Sequence, residues 1–217
     1  MKYYDLNMAK NIKDQSTKEQ LLKSARTEFF EKGYEKASLR NMCTNAGLTT
    51  GALYFFFKDK RDIFNCIVTP FLEEIKNTID IHYSNEQELA DEYASILPTD
   101  NSGDIEVSIN ILKTMYKYRE ECILFLNTSE VSNEFINNII EFSEKHYSSM
   151  FVKMTGTVDF DSYIIHWLSH MQIDAFVHLF LHEKDESKAL ERIPSIINFL
   201  TQGFYSYLYE VKNKNNT

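Results

Sequence analysis

The sequence of 217 residues has little of what β folds and disulfide frameworks need. Six glycines and three prolines are too few for the many tight turns of a multi-stranded β fold, so we expect long helices. The three cysteines, Cys43, Cys66 and Cys122, are widely spaced and odd in number, which argues against a disulfide framework and against a structural zinc motif. This cysteine usage predicts a reducing, cytoplasmic setting.

Membrane spans and enzyme signatures are also absent from the sequence. No stretch approaches the roughly 18 uncharged apolar residues of a spanning helix, and the N-terminal MKYYDLNMAKNIKDQ lacks the apolar run of a signal peptide. There is no Gly-rich phosphate loop, no G-x-S-x-G elbow and no H-E-x-x-H pair. We therefore expect no membrane partner, no cofactor and no enzymatic activity.

The sequence does have a large apolar fraction and an uneven distribution of charge. Hydrophobic residues make up 43% of the chain, which is enough for a substantial core. Residues 1–62 hold 12 Lys or Arg and 8 Asp or Glu (+4), and subtraction from the totals of 23 and 32 leaves 11 and 24 (−13) for residues 63–217. A basic head on an acidic body indicates that the head meets a polyanion, although a solvated surface would give the same asymmetry.

Helical periodicity predicts an all-α fold of about nine helices in three parts. We expect a flexible arm over residues 1–15, a three-helix helix-turn-helix domain over residues 16–62, and a helical body over residues 63–217. In the second part, Ser16 or Thr17 can cap the first helix.

The first helix of this domain should end at Gly33, and the stretch that follows indicates two short helices joined by a turn at Gly47. It runs from Ser38 to Lys60 and reads SLRNMCTNAGLTTGALYFFFKDK. Ser38 and Thr49 are good N-caps for the two short helices. Capped helix starts followed by basic residues are what a helix-turn-helix uses to straddle DNA phosphates, although hydroxyl residues cap helices in any protein.

A set of positions in this part of the chain follows a family pattern. The positions are Ala25, Phe29, Phe30, Gly33, Tyr34, Ser38, Leu39, Arg40, Ala46, Gly47, Leu48, Gly51, Leu53, Tyr54, Phe57, Lys58, Lys60 and Ile63. Their order resembles the N-terminal DNA-binding domain of the TetR family of bacterial transcriptional regulators, over about residues 17–64. The sequence departs from the usual pattern at Met42, Cys43, Ala52 and Arg61.

The resemblance implies that the third helix, about Thr49 to Phe57, enters the major groove of DNA. It assigns base edges to Thr50, Gly51 and Phe55, and phosphates to Ser38, Thr49, Tyr54, Lys58 and Lys60, with Arg40 able to serve either role. The competing interpretation of Phe55 is packing inside the head.

A fourth helix should start near Asp59 and join the head to the body. Pro70 removes an amide donor, so the helix should kink or break there. Two interpretations stay open. The bend acts as a hinge between body and head, or it is static. The polar stretch from Ser84 to Gly103 predicts a short helix and a loop.

The resemblance also implies a small-molecule pocket between the helices of the body. Aromatic side chains with a few polar groups are typical of such a pocket, which singles out Tyr116, Phe142, His146 and Tyr147. Ordinary core packing is the competing explanation for each of these four residues.

In the resemblance, the last two helices pair with their copies in a homodimer. They are expected over about Asp161 to His182 and Pro194 to Val211. The dimer would place two recognition helices one turn of DNA (~34 Å) apart. The residues expected at this interface are His166, His170, Phe204, Tyr207 and Leu208.

A histidine series in the body has the spacing of a metal-binding helix face. It consists of His166, His170, Asp174, His178 and His182. Neighbouring pairs could supply half a site, but each four-residue step drifts about 40° round a helix, so the five cannot converge on one ion. We expect interface or pocket hydrogen bonds here and no metal.

The expected function is that of a dimeric, ligand-responsive transcriptional regulator, most often a repressor in this family. It would bind a palindromic operator in double-stranded DNA and release it when an unknown small-molecule effector fills the body. The alternative is an α-helical ligand-binding or scaffold protein without specific DNA binding. Sequence preference that is lost at high salt separates the two.

Overall fold

The structure is a computed structural model that describes residues 2–90 and 101–214, with side chains described for residues 13–84 and 101–214. In these ranges the chain forms nine helices and no strand, which confirms the all-α prediction. The helices are α1 Lys2–Lys36, α2 Leu39–Asn45, α3 Thr50–Phe56, α4 Lys60–Ala90, α5 Ser102–Lys117, α6 Arg119–Leu126, α7 Ser129–Thr155, α8 Ser162–His182 and α9 Glu186–Lys214. Of the helices so described, none is long and apolar enough to cross a membrane.

Helix α1 begins at Lys2, so the segment expected to be a flexible arm is helical. Neither Ser16 nor Thr17 starts a helix. Thr17 Oγ1 instead donates to the carbonyl oxygen of Lys13 at 2.8 Å, one turn earlier in the same helix. Residues 2–15 contain no glycine and no proline, so nothing in their backbone chemistry interrupts the helix.

Gly33 separates the last turn of α1 from the rest of the helix, close to where the sequence predicts the end of the helix. Its φ of 72° and ψ of 165° are not helical, and they lie in a region that is nearly restricted to glycine, where another residue costs about 1–3 kcal/mol. The backbone turns there, and the N–H of Ala37 donates to the carbonyl of Gly33 at 3.2 Å. The chain then enters α2.

The predicted N-caps of α2 and α3 are confirmed. Ser38 Oγ accepts a hydrogen bond from the N–H of Asn41 at 3.5 Å, and Thr49 Oγ1 accepts one from the N–H of Ala52 at 3.2 Å. Between the two helices Gly47 adopts a φ of 66°, a conformation that glycine takes without steric cost. These local signals define the helix-turn-helix.

Helix α4 starts where the sequence predicts and passes through Pro70 without a break. Asp59 Oδ1 accepts from the N–H of Asp62 at 2.8 Å and so caps the first turn. Pro70 lies on the exposed side of α4, where water can satisfy a carbonyl that lacks its helical donor. Residues 84–90 continue α4 instead of forming a polar break, and residues 91–100 lie outside the described residues.

Helix α9 starts earlier than the predicted Pro194, which therefore lies inside the helix. Asp185 caps α9, since its Oδ1 accepts from the N–H of Ser187 at 3.0 Å. Residues 186–193 before Pro194 are therefore helical, and only residues 183–185 separate α8 from α9. Helix α8 has the predicted bounds, with Asp161 as its N-cap.

The chain divides into two compact units. The first, called the head unit below, consists of Met1–Leu72 and Arg119–Ser132, and the second, called the body unit, consists of Glu73–Tyr118 and Asn133–Thr217. The division falls within α4, later than the boundary at residue 62 that the charge distribution suggests. Helix α6 belongs to the head unit, where it packs on α1.

Each unit has its own apolar core. The buried side chains of the head unit include Leu21, Ala25, Phe29, Met42, Cys43, Leu53, Phe57, Ile63 and Phe64. In the body unit a core cluster is formed by Phe151, Ile165, Phe204, Leu208 and Val211. Burial raises the pKa of the Cys122 thiol to about 12, so this cysteine is a packed apolar side chain.

Candidate nucleic-acid interface

Two polar side chains of α1 hold α2 in place. Ser24 Oγ donates to the carbonyl oxygen of Met42 at 2.8 Å. One turn later, the carboxylate of Glu28 accepts from the N–H of Ser38 and from Nδ2 of Asn41, both at 3.2 Å. Ser24 and Glu28 are buried, and hydrogen bonds are stronger where the local dielectric is low. They fix α2 against α1, and α3 follows α2 after a short turn.

Glu28 carries a negative charge at the N-terminal end of α2. Burial by itself raises the pKa of Glu28, but the hydrogen bonds from Ser38 and Asn41 and the charge of Lys32 outweigh it, so the pKa lies below 4.5. The helix dipole favours a carboxylate at this end. The backbone N–H of Ser38 is thereby occupied, and its hydroxyl proton is the part of this cap that can still be donated to a phosphate.

Helix α3 has one buried and one exposed face, as its sequence predicts. Leu53 and Phe57 are 1% and 2% exposed, whereas Tyr54 and Phe55 are 60% and 71% exposed. The ring of Phe55 meets the ring of Phe56 edge-on, with 4.8 Å between their centroids. Packing of Phe55 inside the head is therefore excluded, and its ring faces solvent.

Most of the other side chains predicted to contact DNA are also exposed. They are Arg40, Thr49, Thr50 and Lys58, together with the bare backbone of Gly51; Ser38 is partly buried. A Cβ added at Gly51 would meet only Thr49 Oγ1 at 3.7 Å, an ordinary contact. The fold of the head therefore does not require glycine at this position.

Lys60 is placed differently from the expectation. Its Nζ donates to the carbonyl oxygens of Tyr34 at 2.8 Å and Glu35 at 3.1 Å, and it lies 4.7 Å from the centroid of the Tyr34 ring. The ammonium thus contacts the end of α1, and the side chain is half-buried.

Sequence reasoning missed three residues that shape this interface. Ser24 and Glu28 form a polar pair four residues apart next to the buried Ala25 and Phe29 of α1. That unexpected polarity on an apolar helix face is the signal that could have revealed them. The third is Lys18, whose Nζ lies 5.7 Å from the centroid of the Phe57 ring where α3 ends.

In the body unit, three of the four residues predicted to line a pocket lie together. Phe142 and His146 of α7 pack against the ring of Tyr83 of α4, with centroid separations of 5.1 and 4.2 Å. The ring of Tyr147 lies 6.0 Å from that of His146. Tyr83 also places its hydroxyl 3.3 Å from Ser143 Oγ. The sequence offered one clue to Tyr83, since it continues the apolar stripe of α4.

Tyr116, the fourth predicted pocket residue, contacts the C-terminal end of α8 in the body unit. Its hydroxyl donates to the carbonyl oxygen of Glu183 at 2.6 Å, and its ring packs edge-on against Phe180. Periodicity places Tyr116 on a face of α5, but it does not say which helix covers that face. Tyr116 therefore contacts the C-terminal end of α8.

The residues predicted for a dimer interface differ in their exposure. Phe204 and Leu208 are 6% and 1% exposed and belong to the core of the body unit. Tyr207 uses its hydroxyl to accept from the N–H of Asp161 at 2.9 Å. His166 is exposed and His170 is half-buried. The apolar stripe of α9 faces inward because α5 and α8 cover it within the same chain.

A different set of aromatic residues lies on the surface of α8 and α9. Tyr163, Trp167, Phe199 and Tyr209 are between 49% and 73% exposed. Tyr163 and Trp167 are one turn apart on α8, so they share a face. Exposed apolar residues of this size mark an interaction surface more often than scattered small ones do.

The histidine series of α8 forms neighbouring pairs, as its spacing predicts. The rings of His166 and His170 are 4.5 Å apart, and those of His178 and His182 are 4.3 Å apart. His166 Nδ1 lies 2.5 Å from an oxygen of Glu144. In the part of the chain that the structure describes, no three potential ligands converge on a metal position.

Residues 21–67 match the model of a family described as bacterial regulatory proteins, tetR family. The match starts in α1 and ends in α4, so it covers the helix-turn-helix and the helices that hold it. Residues 21–67 are thus similar to the N-terminal DNA-binding domain of that family. The resemblance drawn from the order of residues is thereby confirmed.

Two curated relatives are similar to parts of this chain. The HTH-type transcriptional repressor BepR of Brucella suis is 42% identical over 52 residues, which are 24% of this chain and 25% of BepR. The HTH-type transcriptional regulator AcrR of Shigella flexneri is 32% identical over 110 residues, which are 49% of this chain and 46% of AcrR. The matched stretch thus spans a quarter of one relative and about half of the other.

A likeness to solved structures extends beyond the matched residues. The solved structure of the fatty acid degradation regulator FadR from Bacillus halodurans superposes with a TM-score of 0.56. The superposition covers 86% of this chain and 95% of that one, at 14% identity. Such a likeness concerns the fold alone, a helix-turn-helix domain followed by further helices.

Proposed function

We propose that this TetR-type protein is a transcriptional regulator of the repressor kind. As a homodimer it binds a palindromic operator in double-stranded DNA, and it releases the operator when a small-molecule effector binds. The exposed face of α3 carries the proposal. Tyr54 and Phe55 are solvent-facing on a helix whose other side is buried, an arrangement that serves binding and not folding.

The α3 face can read bases through three positions. Phe55 offers an apolar ring suited to a thymine methyl group, and Thr50 offers a hydroxyl to base edges. Gly51 has no side chain although the head has room for one. A bare backbone at this place lets the helix approach the groove closely.

Phosphate contacts would come from the groups around this face. The candidates are the hydroxyls of Ser38, Thr49 and Tyr54 and the cations of Arg40 and Lys58. Charge attraction of Lys and Arg to phosphates supports binding without sequence preference. The hydroxyls fix the orientation of the head on the duplex.

The effector site is proposed at the cluster of Tyr83, Phe142, His146 and Tyr147 in the body unit. Aromatic rings with a histidine, and with the Tyr83 hydroxyl beside Ser143, combine apolar surface with a few polar groups. Phe142 is 41% exposed, which gives the cluster access to solvent.

The homodimer is proposed to form through the exposed aromatic residues of α8 and α9. Trp167 and Phe199 are the centre of this proposal, because Phe204 and Leu208 are buried within one chain. A two-fold interface uses the same patch on both subunits. An α-helical scaffold without DNA binding remains the alternative function, but it gives the exposed face of α3 no role.

The test measures binding of the full chain to duplex DNA from upstream of its own coding sequence. We expect a retarded complex that high salt dissociates. Thr50→Ala should change the preference among operator sequences, because it removes a base contact. Lys58→Gln should weaken binding to every sequence and reduce the slope of log affinity against log salt by about 1 per protomer.

Thr27→Ala is the matched control, since Thr27 is an exposed threonine of α1 whose hydroxyl bonds within its own helix. It should leave both affinity and sequence preference unchanged. If Thr50→Ala and Lys58→Gln also leave binding unchanged, the assignment of α3 as the reading helix is wrong.

A further inference from the structure

Lys60 joins the two ends of the helix-turn-helix segment. It is the first residue of α4, shortly after α3 ends at Phe56. Its Nζ donates to the carbonyl oxygens of Tyr34 at 2.8 Å and Glu35 at 3.1 Å. These carbonyls lie in the last turn of α1, just before the chain enters α2. One side chain therefore links the exit of the segment to its entry.

The two carbonyls lie at the end of their helix, where the N–H of Ala37 is divided between the carbonyl of Gly33 at 3.2 Å and that of Tyr34 at 3.4 Å. The last carbonyls of any helix lack the amide donors of a further turn. The N–H of Ser38, which a continuing helix would offer to Tyr34, goes to the carboxylate of Glu28 at 3.2 Å. A cation is the group that the negative end of a helix dipole favours. Lys60 supplies both the charge and the donors.

An aromatic cluster supports this contact. The ammonium of Lys60 lies 4.7 Å from the centroid of the Tyr34 ring. That ring stacks on Phe29 of α1 at 5.7 Å and meets Phe64 of α4 edge-on at 5.0 Å. Both phenylalanines are fully buried. A cation on the face of a partly desolvated ring is held more strongly than one in water.

We propose that Lys60 is a positioning residue that links the start of α4 to the end of α1 and so holds α2 and α3 in place. Its effect on DNA affinity comes from the placement of α2 and α3, and not from a phosphate contact. This inference rests on the proposed function, because it takes DNA as the ligand of the head. An ammonium that stays on two carbonyls releases no counterions from DNA. The exposed Lys58, two residues earlier, is the natural comparison.

The test compares Lys60→Gln with Lys58→Gln in the full chain. The probe is a mixed-sequence DNA duplex of about three helical turns. Affinity is measured by fluorescence anisotropy over a series of salt concentrations, at a temperature where circular dichroism shows each variant to be fully folded.

For Lys60→Gln we expect a Tm lower by about 5 °C and binding weaker by about tenfold, with the salt slope unchanged. For Lys58→Gln we expect an unchanged Tm and a salt slope smaller by about 1 per bound protomer. Lys60→Arg keeps a cation with several donors, so it should recover most of the Tm and of the affinity.

A smaller salt slope for Lys60→Gln overturns the proposal, because Lys60 is then a phosphate ligand. A lower Tm with unchanged affinity in the folded variant also overturns it, because the role is then stability alone. If the unmodified chain does not bind the duplex at low salt, the proposed function itself fails. That failure is distinguishable, because the Tm of Lys60→Gln still reports whether the contact between Lys60 and the end of α1 stabilises the head.

Discussion

At the scale of single residues, two charged side chains of the head contact helix ends, one at the start of α2 and one at the end of α1. Glu28 accepts hydrogen bonds at the start of α2, and Lys60 donates them at the end of α1. Each has the sign that the helix dipole favours at its end. Both charges hold backbone groups of the connection between α1 and α2, so together they fix this connection.

Glu28 is expected to make the stability of the head depend on pH. Its pKa in the folded chain is below 4.5, because donors from Ser38 and Asn41 outweigh the burial that raises it. A carboxyl with a lower pKa in the folded state binds more protons when the chain unfolds. Its stabilisation is thus fully present above about pH 5 and is lost as the pH falls through the folded-state pKa.

Glu28→Gln should lower the free energy of unfolding by about 1–3 kcal/mol at neutral pH, and this difference from the unmodified chain should shrink as the solution is acidified. Urea denaturation at a series of pH values measures it. Glu31→Gln, at an exposed position of the same helix, is the control and should have little effect. A difference that stays constant down to about pH 4 would contradict the role of the Glu28 charge.

At the scale of elements, a capping residue determines a helix start only in a suitable local context. Ser38, Thr49 and Asp59 each cap the helix that the sequence assigns to them. Thr17 does not start a helix although it is a suitable cap, because the preceding residues are already helical. A cap signal therefore fixes a helix start only where the residues before it leave the helical conformation.

Pro70→Ala is expected to stabilise α4. Pro70 is exposed within a continuous helix, so alanine restores an amide donor and removes a steric clash without loss of packing. The free energy of unfolding should rise by about 1–3 kcal/mol. Chemical denaturation measures this change, with Thr69→Ala as the exposed neighbouring control.

The same variant addresses the hinge hypothesis. Pro70 lies just before the division between the head unit and the body unit at Leu72. If α4 bends at Pro70 during regulation, the straighter variant should bind DNA with a changed affinity. Equal affinities of Pro70→Ala and the unmodified chain would count against a hinge. Pro70 would then only weaken α4 locally.

At the scale of the whole molecule, self-association is expected to depend on exposed and not on buried aromatic residues. Phe199→Glu on α9 or Trp167→Glu on α8 should shift the dimer towards monomer, because a charge on the shared two-fold patch meets its own copy. DNA affinity should fall with it, since two linked heads bind far more tightly than one. Sedimentation velocity and anisotropy measure the two effects.

Ile81→Glu is the matched control for these dimer variants. Ile81 is an exposed apolar residue of α4, at 63% exposure, and it lies outside α8 and α9. It should leave the sedimentation coefficient unchanged. If Phe199→Glu and Trp167→Glu remain dimeric, the proposed interface is wrong. Because Phe204 and Leu208 are buried, the dimer would then have to form through another surface.

The sequence by itself determined the features that depend on residues close together in the chain. It placed the end of the first helix near Gly33 and a turn at Gly47, capped α2 and α3 with Ser38 and Thr49, and separated the buried and exposed faces of α3. Backbone sterics and hydrogen bonds within one or two turns control these features, so they can be read without a tertiary structure.

Only the tertiary structure decided which partner each face meets. It turned Lys60 onto the carbonyls of α1 and buried Phe204 under other helices of the same chain. It also placed the hydroxyl of Tyr116 on the carbonyl of Glu183, just after α8 ends. Periodicity tells which side of a helix is apolar, but the helix that covers it comes from distant parts of the sequence, and no local pattern encodes that choice.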